Sequence, residues 1–249
     1  VLRETPVADA ALPRFELAEW GARFGVVAGI TGRGASLGLW SDEPVGQVMT
    51  RWRALRSALG TRFDSVALSH QVHGAALAWH AQAPAVPGWL ILDGVDGHAT
   101  TTRGLLLTVT VADCVPVYLV APERGVVALL HAGWRGVAAR LLAGAVGELG
   151  RVGSCPVGEI IMHCGPAICG DCYEVGSEVS EALGEVPTEG RRVDLRAVLA
   201  RQAEALGVRD VSISPYCTAH DRTLFFSHRA SGGRDGRQVA YAGFPRPSA

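Results

Sequence analysis

LLLTVTVADCVPVYLVAPERGVVALLHAGWRG, residues 105–136, holds three apolar runs of strand length, with Cys114 after the first and His131 at the end of the third. The runs 105–111, 115–120 and 126–131 are rich in β-branched residues and bounded by Gly, Pro or polar turn residues, the pattern of β-strands. Working outward, FGVVAGI (24–30), SVALS (65–69), ALAWH (76–80), EIIMHC (159–164) and VSISP (211–215) read the same way. Helical periodicity runs through 43–60, with Pro44 suited to a first turn and Gly60 to a stop, and through 136–150, 177–184 and 194–207. Strands follow one another with helices inserted between groups, which predicts α+β layers rather than a doubly wound parallel sheet. GRGASLG at 32–38 lacks nucleotide-fingerprint spacing and reads as a loop.

The chain has 249 residues, 48% of them hydrophobic, enough to bury a large core, and no linker-like stretch divides it, so residues 1–249 read as a single domain. A formal charge of −1 and scattered arginines leave no basic face for nucleic acid or an anionic membrane, so small molecules are the expected partners. The longest apolar stretches fall short of the ~20 residues that a membrane span requires. The N-terminus lacks the charged-then-apolar layout of a signal peptide, and the expectation is a soluble, cytoplasmic protein. In that compartment the six cysteines stay reduced and serve packing, metal binding or catalysis.

Cys114 sits where one strand breaks before the next, and His131 precedes Ala132, Gly133, Trp134, Arg135 and Gly136, a turn leading into a helix. If those two strands are neighbours in one sheet, thiol and imidazole converge at its edge. His73, in the Gly-terminated turn SHQVHG, is a third candidate. Two imidazoles and a thiolate match the ligand count of catalytic zinc sites, which keep one position open. The plainer alternatives are a core cysteine at 114, a turn-capping His131, and competition from His70. A second constellation, HCGPAICGDCYEVG (163–176), has Cys-x-x-Cys spacing at Cys169 and Cys172. A structural zinc knot there, with His163 and Cys164 close behind, and a redox pair are the functional alternatives, but no second Cys-x-x-Cys or His pair lies at the usual distance, so packing is the default for Cys164, Cys169 and Cys172. In the tail, Arg229 of FFSHR suits an anion or a planar base, with a solvated surface arginine as the plainer reading.

In this order, SHQVHG, VADCVPV, HAGWRG, GPAICGDCYEVG and FFSHR…GRQVA resemble the YfiH-type laccase-domain family, also described as purine nucleoside phosphorylases and polyphenol oxidases, from about residue 22 to 243. The resemblance implies a four-layer α/β/β/α sandwich with mixed sheets and a metal held by His73, Cys114 and His131. Zinc is favoured for that metal and copper is the alternative, since a thiolate with two imidazoles suits both. It further implies phosphorolysis of adenosine, inosine and methylthioadenosine to free base and ribose 1-phosphate, and deamination of adenosine. Gly133 and Arg135 in the turn after His131, together with Arg229, are the expected phosphate and substrate contacts. Asp113 is the candidate acid or base, with ligand orientation as the plainer role. Alternatives within the resemblance are a copper-dependent phenol oxidase, a metal-free Cys114–His131 hydrolase and a peptidoglycan-editing factor. The chain departs from the family in a shortened GRGASLGLW stretch, in Thr50 and Arg51 where an Asn-Arg pair is usual, and in Ala230 where a second arginine follows FFSHR.

Overall fold

A computed structural model describes residues 2–8, 12–186 and 190–247. The strands are β1 (Thr5–Pro6), β2 (Arg14–Glu16), β3 (Val27–Thr31), β4 (Ser65–His70), β5 (Leu77–His80), β6 (Trp89–Asp93), β7 (Gly97–Thr100), β8 (Leu105–Val111), β9 (Val115–Ala121), β10 (Val126–Ala132), β11 (Ile161–Cys164), β12 (Glu174–Val175), β13 (Arg191–Arg192), β14 (Asp210–Ile213) and β15 (Gln238–Gly243). The helices are α1 (Ala18–Phe24), α2 (Val45–Ala58), α3 (Trp134–Ala138), α4 (Leu141–Arg151), α5 (Ser177–Ala182), α6 (Leu195–Leu206) and α7 (His228–Ser231). One sheet has the order β1-β2-β3-β15-β8-β4-β6 and a second the order β14-β11-β9-β10-β7-β5. Both are mixed: β4 runs parallel to β6 and β8, β5 to β7, and β11 to β14, among otherwise antiparallel pairs.

The alternation of strand side chains builds the layers. Leu105, Leu107, Val109 and Val111 of β8 face Tyr118 and Val120 of β9 and Val127 and Leu129 of β10 in one buried cluster between the sheets. The opposite parity of β9 and β10, including Val117, Leu119, Ala128 and Leu130, packs instead with Leu142, Leu149 and Leu199 of α4 and α6. On the far side, Leu106 and Leu68 meet Val48, Trp52 and Leu55 of α2. The order is therefore helix, sheet, sheet, helix. With apolar layers on both faces, these strands read as almost unbroken apolar runs.

Three features differ from the sequence reading. The helix expected over 136–150 is two helices, because Arg140 takes a left-handed backbone (φ 61°) between α3 and α4. Pro44 is the N-cap of α2 rather than part of its first turn, and Gly60, at φ 69°, follows its end. The strands that Cys114 and His131 close are not neighbours in one sheet: β8 belongs to the first sheet and β10 to the second. Convergence comes instead from β9, which starts just after Cys114 and runs antiparallel to β10, pairing Ala132 with Val115 and His131 with Pro116.

Buried between β5, β7 and β4, His80 Nε2 lies 3.0 Å from His98 Nδ1, and His98 Nε2 lies 3.2 Å from Ser69 Oγ. Burial, reinforced by the adjacent His80, holds His98 down at about 3. An unfolded His98 titrates near 6.5, so its contribution to stability is complete above that pH and is lost as pH falls from 6.5 toward 3. Melting temperatures measured across this range are expected to fall more steeply in the protein than in His98→Gln.

Candidate active site and metal centre

β10 delivers His131 with the same parity as Val127 and Leu129, so its ring enters the open end of the space between the sheets. There it meets Asp96, fully buried just ahead of β7. Asp96 Oδ1 accepts from His131 Nδ1 at 2.8 Å and from the His73 N–H at 3.0 Å, and Oδ2 accepts from the N–H groups of Gly74 at 2.7 Å and Val72 at 3.2 Å. The backbone repeats the link, His131 N–H donating to the Asp96 carbonyl at 2.7 Å. One carboxylate thus fixes both the QVHG turn and the imidazole opposite. Commitment of Nδ1 to Asp96 leaves His131 Nε2 for the cavity side.

The turn itself is anchored from the other sheet. Gln71 Nε2 donates to the Thr110 carbonyl at 2.9 Å, while Gln71 Oε1 accepts from the Thr110 N–H at 2.7 Å. His73 adopts φ 59°, a left-handed conformation that its position in the turn imposes. As a result the donor atoms of His73, Cys114 and His131 all lie within 4.8 Å of one another, and the two imidazoles meet edge to face with ring centroids 4.8 Å apart. Gly133 suits this closeness: a Cβ there would stand 3.1 Å from both Cys114 Sγ and His73 Cδ2, which would have to give way by a few tenths of an ångström. Gly136 is required for a similar reason, since its Cβ would lie 2.8 Å from the Gly74 carbonyl oxygen.

Burial by itself would raise the Cys114 thiol, but the His131 charge and hydrogen bonds from His131 and His73 outweigh it and bring the thiol down to about 6. Burial would likewise lower His131, yet the Cys114 thiolate and the hydrogen bond to Asp96 raise it to about 9. Thiolate and imidazolium are therefore each other's counter-charge. Two imidazoles, one thiolate and a carboxylate holding the far nitrogen of one imidazole form a donor set that fits a zinc or copper ion.

The three donors open onto a cavity of about 520 Å³, within the size range of small-molecule sites. Its wall carries Arg135, Arg229, Arg237 and the aromatic groups Trp40 and Tyr173. The exposed Trp40 ring stacks on His70 at 4.9 Å and 28°. Arg135 lies over Trp134 at 4.4 Å, and Arg229 lies over Tyr173 at 5.0 Å while donating to the Glu174 carbonyl at 2.7 Å. Asp113, at φ 85°, accepts from Thr218 Oγ1 and from the Arg229 N–H, each at 2.6 Å. Among the residues singled out in the sequence, His73, Asp113, Cys114, His131, Gly133, Arg135 and Arg229 thus border one cavity, while Cys164, Cys169 and Cys172 do not line it. Asp96 was missed there, although a lone carboxylate entering the strand DGHAT is a readable signal; Trp40, Tyr173 and Arg237 lie within the quoted stretches GRGASLGLW, GPAICGDCYEVG and GRQVA but were not singled out as contacts.

A family model described as multi-copper polyphenol oxidoreductase laccase matches residues 22–245. The chain belongs to this family. A purine nucleoside phosphorylase of Deinococcus radiodurans is 37% identical over 214 residues, covering 83% of this chain and 80% of that protein. Adenosine deaminase RL5, from an unknown prokaryotic organism, is 34% identical over 236 residues, covering 84% of this chain and 87% of its own. The crystal structure of YlmD from Geobacillus stearothermophilus superposes with a TM-score of 0.86 at 29% identity, spanning 99% of this chain and all of that one. Relatives in the family thus carry the names of enzymes acting on small purine compounds. Among the described residues, no helix is long and apolar enough to cross a membrane.

Replacing Asp96 by Asn turns an amide toward groups that need an acceptor, and is expected to cost about 2–3 kcal/mol of stability, measured by urea unfolding. In protein stripped of metal by chelator, Cys114 alkylation by iodoacetamide is expected to rise with pH around 6, and in His131→Ala only toward ordinary thiol values.

Proposed function

We propose that the protein is a purine nucleoside phosphorylase, acting on adenosine, inosine or methylthioadenosine and phosphate, with adenosine deamination at the same site. The observation that carries this reading is the pairing, in one cavity, of a cationic wall (Arg135, Arg229, Arg237) with the flat faces of Trp40 and Tyr173 above the His73, Cys114 and His131 donors. Phosphate demands the first, a purine the second. The names of the relatives from Deinococcus radiodurans and of RL5 support the same two reactions.

In phosphorolysis a phosphate oxygen forms a bond to C1′ of the ribose, and the bond from C1′ to the purine nitrogen breaks with its electron pair passing to the base, which takes up one proton. Arg135 and Arg229 hold the phosphate, with the turn at Gly133 beside it, and Trp40 and Tyr173 hold the base. Asp113 is better suited to positioning than to proton transfer, because both of its oxygens are occupied by Thr218 and the Arg229 N–H. A zinc ion bound to His73, Cys114 and His131 would supply Lewis acidity at the cavity floor. Asp96 keeps the His131 ring in register for that role.

A second reading rests on the depressed Cys114 thiol beside a raised His131, a pair fit for nucleophilic attack without metal. The two readings part on one assay. Incubation with inosine is expected to release hypoxanthine only when phosphate is present, to stop on chelation and in Cys114→Ala, and to show a roughly tenfold higher KM for phosphate in Arg229→Ala, the loss of one charge-assisted contact. Absence of base release from zinc-loaded protein overturns the phosphorylase reading, and turnover that survives chelation favours the thiolate.

A further inference from the structure

We propose that Cys169, Cys172, Cys217 and His220 form a second metal site, a closed structural zinc centre that staples together two loops of the cavity wall. Their donor atoms all lie within 4.8 Å of one another. Cys169 and Cys172 sit in the connection after β11, while Cys217 and His220, again with two residues between them, sit far downstream in the connection after β14. Sequence spacing alone does not join these pairs.

The fold does. β11 and β14 run parallel, pairing Cys164 with Ile213, so the loops leaving their ends emerge side by side. A single β-bridge then links Ala167 to Cys217, and the Thr218 N–H donates to the Ala167 carbonyl at 3.1 Å. Each loop closes into a tight turn that aims its two side chains the same way. The N–H groups of Cys172 and Tyr173 donate to the Cys169 carbonyl at 3.1 and 3.0 Å, and the Asp221 N–H donates to the Cys217 carbonyl at 2.7 Å. The Cys169 N–H points at Cys217 Sγ, 3.3 Å away. His220 lies alongside, with Nε2 3.2 Å from Cys172 Sγ and Nδ1 3.7 Å from Cys169 Sγ, so its ring already faces the thiols.

Four protein donors with three thiolates define a structural zinc site, whereas three donors with an open position define the cavity floor. Sulfur atoms bound tetrahedrally at about 2.3 Å stand roughly 3.8 Å apart, a spacing that small side-chain movements reach from the one present here. Zinc with three thiolates carries one net negative charge. The Arg196 guanidinium, buried and fixed by Asp194, lies close enough to interact with Cys169 and Cys217 and offset it. All three thiols are free in the structure. The two loops continue into Tyr173 on one side and into His228 and Arg229 on the other, so a metal between them fixes that wall of the cavity.

The test is a metal count on the full chain, loaded with zinc, freed of excess and analysed by mass spectrometry of the metal. Two equivalents are expected, falling to one in His73→Ala/Cys114→Ala and to one in Cys172→Ala/His220→Ala. Cobalt loaded into the His73→Ala/Cys114→Ala variant is expected to show the intense thiolate-to-cobalt absorption of a three-sulfur tetrahedral site, which decides the matter even where the other variant does not fold. A folded His73→Ala/Cys114→Ala variant that binds no zinc or cobalt overturns the proposal. So does a disulfide among Cys169, Cys172 and Cys217 in freshly purified protein, mapped by peptide mass.

Discussion

The Asp96 carboxylate is the constraint on which the site depends. Fully buried, it has two oxygens that accept four hydrogen bonds, three from the backbone of the QVHG turn and one from His131. Burial by itself would raise this carboxyl, but the hydrogen bonds to His131, Gly74 and Val72 and the His131 charge hold it below the usual carboxylate range. A buried anion is stable only when its acceptors are filled in this way, so turn and imidazole can move only together. The left-handed His73 backbone and the close contacts at Gly133 follow from that fixed geometry.

The double-sheet architecture places this constraint where it can act. Gln71 and Thr110 bring the end of one sheet to the mouth of the sandwich, and His131 and Cys114 bring the end of the other. A buried apolar cluster of Leu107, Val109, Val127 and Leu129 backs the site. In that setting, thiolate and imidazolium strengthen each other, because each supplies the counter-charge that solvent does not. Donors that could hold a metal, a cationic wall and flat aromatic faces then share one cavity.

The same logic of neighbouring strand ends recurs at the far side of the wall. Parallel pairing of β11 with β14 brings two turns together, each with two side chains that could hold a metal. Arg229 connects this region with the cavity, since its backbone N–H donates to Asp113 and its guanidinium to the Glu174 carbonyl. Cys114 and its neighbour Asp113 therefore link the cavity floor to the wall that the second cluster would brace.

What the sequence by itself determined is the local order: eight strands, the helices α2, α5 and α6 with their ends at Pro44, Asp194 and Gly207, and the motif residues that line the cavity. Apolar runs, capping residues and turn chemistry act within a few residues of chain, and so they can be read along it. The convergence of His73, Cys114 and His131 came into the sequence reading only through family resemblance, since none of the three is close to another in the chain. Tertiary structure decided that β9, not β8, stands beside β10, and that β6, β7 and β15 join the sheets. It alone gave Asp96 its role and set Cys169 and Cys172 against Cys217 and His220. The physical reason is the same in each case: strand pairing and the filling of a buried carboxylate are long-range conditions, satisfied by groups that only the folded chain brings within hydrogen-bonding distance.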